Sequence, residues 1–153
     1  MTGQEPITLL FGREQLPLSL SDDIRPTIVR KRPLPKIADP AAAIREAFAN
    51  PVASAPLAEL ARGRRSACIL ICDITRPVPN RLFLRPMIET MLSAGIPREN
   101  ICVLVATGLH RPNLGQELAE LVGDPWVLET VRVENHYARD EDAHVDLGFT
   151  RTR

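Results

Sequence analysis

Aromatic residues are scarce in this 153-residue chain: four Phe, one Trp and one Tyr, 4% of the whole. A base-stacking surface for single-stranded nucleic acid needs more of them. Neither sign of charge is in excess, with 19 Lys plus Arg against 19 Asp plus Glu. That balance removes the basic footprint of a nucleic-acid binder and the acidic bias of a disordered tail. Long apolar runs are missing too. The longest, Ala67 to Cys72 and Ile101 to Ala106, are far too short to span a bilayer. The first residues are polar and lead into a strand-like Ile7 to Phe11, without the charged start and apolar core of a signal peptide. No membrane partner and a cytoplasmic location are expected. Cysteine is limited to Cys68, Cys72 and Cys102, all inside predicted strands and not spaced as metal ligands. They read as reduced core thiols, and no metal site is expected.

What is present is the pattern of one α/β domain over residues 1–153, with a core of ordinary size. Residues 1–36 read as a small β layer laid against that core: strands at Ile7 to Phe11, Gln15 to Leu20 and Thr27 to Arg30. Asp39-Pro40 starts a helix that Asn50-Pro51 ends, and a second runs from Pro56 to Arg62 before Gly63. Both are expected to cover the sheet. Ala67 to Cys72 is apolar on both faces, the mark of a parallel strand covered on both sides. Leu84, Met87, Ile88, Met91 and Leu92 make a helical stripe, with Pro86 near its start or at a kink. The strand Ile101 to Ala106 completes a βαβ unit. Asn113 and Gln116 resemble a capping box for a further helix that stops at Gly123; Val127 to Val133 then reads as a strand. Asp146 to Thr150 looks like an edge strand, after which the chain runs out without a closing element, as a protein cut short would. The expected fold is α/β: a three-layer, Rossmann-like domain with a mostly parallel sheet.

Two strings sit where neighbouring strands of that sheet end. Asp73-Ile74-Thr75-Arg76-Pro77 follows the first strand, and Thr107-Gly108-Leu109-His110-Arg111-Pro112 follows the second. Ligands of open α/β sheets bind at the carboxyl ends of the strands. Asp73, Thr75 and Arg76 on a proline-stiffened loop suit a small anion, with Arg76 as a bidentate fork. The plainer alternative is that Asp73 and Thr75 cap a turn and Arg76 makes a surface ion pair. Gly108 allows either close approach to a ligand or a positive φ. His110 can move a proton near neutral pH, or simply face solvent. Taken together, Asp73 could orient His110 and set its tautomer. The physics gives a small-anion site with an acid–base histidine. His136 and His144 lie in a polar segment with Arg139, Asp140, Glu141 and Asp142; a metal site there is conceivable, but the spacing matches no standard motif and the segment reads as solvated loop. Trp126 and Tyr137 are expected at the domain edge.

These strings, with Ala94-Gly95-Ile96-Pro97-Arg98-Glu99-Asn100-Ile101 between them and Asn135-His136 beyond, make the chain resemble the N-terminal domain of the lactate racemase family, the nickel-pincer-nucleotide racemases and epimerases of 2-hydroxy acids. The resemblance implies hydride transfer between substrate Cα and a nickel-bearing nucleotide, while a histidine takes the hydroxyl proton. By motif, His110 is that histidine, Asp73 its partner and Arg76 the group that binds or polarises substrate. Thr75, Thr107 and Gly108 are the candidate cofactor-binding positions. The family's cofactor lysine, nickel-ligating histidine and second catalytic histidine have no match here: no lysine follows Lys36. The chain is therefore expected to be half of a site, inactive without a missing C-terminal domain.

Two alternatives belong to other classes. A non-catalytic anion- or nucleotide-binding module would keep the site without the reaction. A haloacid-dehalogenase-type phosphatase would use Asp73, but Thr75 stands where that pattern places its second carboxylate.

Overall fold

The computed structural model describes residues 7–151 and divides the chain into two compact units, Met1–Lys36 and Ile37–Arg153. In the first, β1 (Ile7–Phe11) pairs antiparallel with β2 (Glu14–Leu18), joined by a tight turn. Thr27 to Arg30 is not a strand. Pro26 precedes this segment and Pro33 and Pro35 follow it, so the chain around it lacks donors for a ladder.

The second unit is built on three parallel strands in sequence order: β3 (Ala67–Cys72), β4 (Ile101–Ala106) and β5 (Arg132–Asn135). Ala67 lies opposite Ile101, Cys72 opposite Ala106, and Val105 opposite Asn135. Crossovers that step the same way across a parallel sheet put their helices on one face. Accordingly α3 (Asn80–Ser93), α4 (Gly115–Val122) and α5 (Pro125–Thr130) share a single core with Ile69, Ile71, Ile101, Val103 and Val105. Leu84 and Ile88 from α3 are fully enclosed there, each worth about 1.5–3 kcal/mol of apolar burial.

The opposite face is open along β3: Cys68, Leu70 and Cys72 are exposed, Leu70 by 68%. The expected third layer does not cover this face among the described residues, and the cysteines are not core thiols. Cys102 alone is half-buried, and burial pushes its thiol up. An apolar run cannot tell a strand covered on both faces from one whose second apolar face is bare. The early helices do not serve as sheet cover either. α1 (Pro40–Ala49), capped by Asp39 on the Ala42 amide at 2.9 Å, and α2 (Leu57–Ala61) pack principally against α3.

Of the remaining segments, Pro86 takes one of its two expected places, inside the helix, and two segments differ from expectation. Pro86 lies in the interior of α3, where the Thr90 hydroxyl donates to its carbonyl at 2.7 Å. Residues 125–130 are helical, not extended. Asp124 accepts from the Trp126 amide at 2.9 Å and Pro125 takes the first turn, the same Asp-Pro start that opens α1. Asp146 to Thr150 has no strand: Gly148 turns with φ +81° and donates back to Asp146 at 2.7 Å. At Gly123, φ is +70° and a β-carbon would come within 2.9 Å of Arg81, so glycine alone closes α4 against α3. No helix among the described residues is long and apolar enough to cross a membrane.

Candidate active site

The register fixes the site. Because Cys72 and Ala106 are paired, Asp73 and Thr107 leave the sheet side by side, and the loops after them meet. Asp73 is buried, and its carboxylate has no spare oxygen. Oδ1 accepts from the Thr75 amide at 3.0 Å and the Thr75 hydroxyl at 2.5 Å, while Oδ2 meets His110 Nδ1. The Thr75 hydroxyl holds Asp73 below the ordinary carboxylate range, and His110 adds to this against the opposing effect of burial.

That geometry assigns the imidazole. A carboxylate only accepts, so Nδ1 of His110 carries a hydrogen, and in the neutral ring the lone pair sits on Nε2. The His110 side chain is 55% exposed against 7% for Asp73, and Nε2 has no protein partner among the described residues. The pair is a fixed base: one nitrogen anchored, the other open. His110, though not the buried Asp73, lines a cavity of about 500 Å³ together with Gly108, Leu109, Pro112, His136 and Tyr137. A larger cavity, about 650 Å³, lies between α1, α2 and α3 but contains none of these groups.

The other expected residues divide. Gly108 takes φ +56° with open space where a β-carbon would go, so it serves the turn rather than close approach. Thr75 spends its hydroxyl on Asp73, and Thr107 spends its own on the His136 carbonyl. Each hydroxyl has thereby given its hydrogen to the protein and keeps only its acceptor lone pairs. Arg76 is exposed and makes no side-chain bond among the described residues; the turn holds its backbone, with its amide on the Asp73 carbonyl at 3.1 Å.

Two asparagines, known from the sequence only as a candidate helix cap and as part of the family resemblance, join the loops. Asn113 does not cap α4 as one arm of a box with Gln116; Leu114 occupies the cap position. Instead, buried Asn113 accepts from the Ile74 amide at 3.2 Å and donates to Glu117 at 2.8 Å. Asn135, at the end of β5, accepts from the Asn113 amide at 2.8 Å and donates to its carbonyl at 2.9 Å. Each loop is thereby tied to the third strand. Asn135→Ala orphans two buried backbone groups, and a loss of about 2–4 kcal/mol in urea unfolding is expected.

Glu117 also accepts from both terminal guanidinium nitrogens of Arg111, at 2.6 and 2.8 Å. Arg111, and after it Asn113, lower the Glu117 carboxyl to about 2 from 4.5. The folded value lies below the unfolded one, so this stabilisation is complete above about pH 4.5 and is lost as pH falls toward 2. The stability gap between wild type and Glu117→Gln should narrow over that interval, as read by urea unfolding at each pH.

Comparisons with known proteins agree on one family. The family model described as the lactate racemase N-terminal domain matches residues 11–153. The lactate racemase of Lactiplantibacillus plantarum is 33% identical over 105 residues, which is 69% of this chain and 24% of that protein. The lactate racemase of Thermoanaerobacterium thermosaccharolyticum is 33% identical over 84 residues, 55% of this chain and 20% of that one. The solved structure of the lactate racemase apoprotein from the latter organism superposes with a TM-score of 0.67 at 26% identity, covering 90% of this chain and 31% of that chain. The matched part of this chain thus spans a quarter or less of the length of these curated relatives.

Proposed function

Since the chain belongs to the lactate racemase N-terminal domain family, we propose that it supplies the proton-handling side of a racemase or epimerase acting on 2-hydroxy acids. The observation that carries this reading is the Asp73–His110 pair, with Nδ1 engaged, Nε2 without a protein partner among the described residues, and His110 on the cavity wall. A 2-hydroxy acid placed there gives its hydroxyl proton to His110 Nε2 as the hydrogen on Cα departs with its electron pair. Asp73 stays ionised and steadies the imidazolium that forms. Arg76, with its guanidinium unengaged, binds the substrate carboxylate.

The resemblance implies a nickel-pincer nucleotide as the hydride carrier. The residues here do not fit its attachment. No lysine follows Lys36, and no three His, Cys, Asp or Glu side chains cluster among the described residues to hold a metal ion. In this proposal the hydride acceptor comes from outside residues 1–153, on a complementary domain such as the longer relatives have the length to contain.

The test is a chimera in which residues 11–153 replace the matching part of the L. plantarum lactate racemase, assayed for interconversion of D- and L-lactate by chiral chromatography. Interconversion above that of the host lacking this part supports the proposal. A folded, cofactor-loaded chimera that leaves either enantiomer unchanged counts against it. Lactate binding by the 153-residue chain without activity in the chimera would favour the anion-binding module instead.

A further inference from the structure

The solvated loop expected around His136 and His144 is folded into a specific contact. The two Nε2 atoms lie 3.1 Å apart, with the rings edge to face at 87°. The backbone of His136 and the ring of His144 are each held in place. His136 follows β5, its amide donates to the Val105 carbonyl at 3.0 Å, and its own carbonyl accepts the Thr107 hydroxyl. His144 caps the short 3-10 turn Glu141–Ala143, and its Nδ1 lies 2.6 Å from the Asp140 carbonyl.

A carbonyl only accepts, so Nδ1 of His144 carries the hydrogen and Nε2 presents a lone pair toward His136. A backbone carbonyl holding the far nitrogen is the usual support of a metal-ligating histidine. The spacing suits the same purpose. Two Zn–N bonds of about 2.05 Å that span 3.1 Å open an angle of about 98°, between the octahedral and tetrahedral values. Asp140, Glu141 and Asp142 outnumber Arg139 in the connecting segment and favour a cation.

The geometry points to a two-imidazole site for a divalent transition-metal ion of the zinc type, formed by Nε2 of His136 and Nε2 of His144. Water or a ligand fills the remaining positions. The site is separate from the Asp73–His110 pair. His136 lines the same cavity as His110, so the bound ion sits at its rim and clamps the segment from Tyr137 to Ala143 to the end of β5.

The probe is Zn²⁺ alone, titrated into the 153-residue chain against a chromogenic chelator, with histidine ring resonances followed by NMR. One equivalent is expected to bind and to shift the His136 and His144 signals but not that of His110. His136→Gln and His144→Gln should each weaken binding about tenfold or more. The NMR shifts are read on the wild type, so the outcome does not depend on either variant folding. No saturable binding up to about 1 mM Zn²⁺, shifts centred on His110, or undiminished affinity in both variants overturns the site and leaves only a hydrogen-bonded imidazole pair.

Discussion

In the active chimera, His110→Ala is expected to cut lactate interconversion about 10³-fold or more, close to 4 kcal/mol of transition-state stabilisation. The reasoning starts from what the other groups cannot do. Asp73 is buried and committed on both oxygens, the Thr75 and Thr107 hydroxyls are spent inside the protein, and the Arg76 guanidinium offers donors but no acceptor. His110 Nε2 is thus the one site-facing base among the expected residues. Alanine removes it without breaking the loop, because the His110 amide still donates to the Thr107 carbonyl at 3.0 Å and Thr75 still holds Asp73. Substrate binding should change far less than turnover, since the carboxylate anchor assigned to Arg76 is untouched. Steady-state kinetics separate the two: kcat falls and KM moves within a few-fold. Partial rescue by added imidazole would place the loss in proton transfer. A variant with full kcat removes His110 from the mechanism.

Much of this site was legible from order along the chain. Parallel strands in a βαβ unit end at the same edge, so polar residues just after Cys72 and Ala106 had to be neighbours once the strands were recognised. Asp39-Pro40 announced α1 by local chemistry alone. The same signal stands at Asp124-Pro125, but the apolar, β-branched pattern of Val127 to Val133 that follows it reads as a strand and masks α5. The exposure of the cysteines is not legible in the sequence, because alternation is invisible when both faces of a strand are apolar; only the position of the helices shows that Cys68, Leu70 and Cys72 face outward. Asn113 and Asn135 were hidden for another reason. They are 22 residues apart, and their role comes from β5 docking beside β4, which no local spacing encodes. The His136–His144 contact depends likewise on a turn at residues 141–143 that carries no strong sequence signature.

Asp73→Asn should be nearly as damaging as loss of the histidine, about 10²- to 10⁴-fold in kcat, although the substitution changes almost no volume. The Thr75 amide and hydroxyl both donate to the Oδ1 position. In the variant these two donors select the amide oxygen for that position, which turns the new NH₂ group toward His110 Nδ1. A donor there demands an acceptor, so the imidazole shifts its hydrogen to Nε2 and presents N–H where the substrate hydroxyl should find a base. The charge that steadies the imidazolium disappears as well. Nitrogen-detected NMR of the 153-residue chain reads the tautomer directly: Nδ1–H in the wild type, Nε2–H in Asp73→Asn. Activity in the chimera reads the consequence. If the tautomer inverts but turnover persists, His110 is not the base; if neither changes, Asp73 does not set the imidazole, and the paired loops form a scaffold rather than half of a reaction.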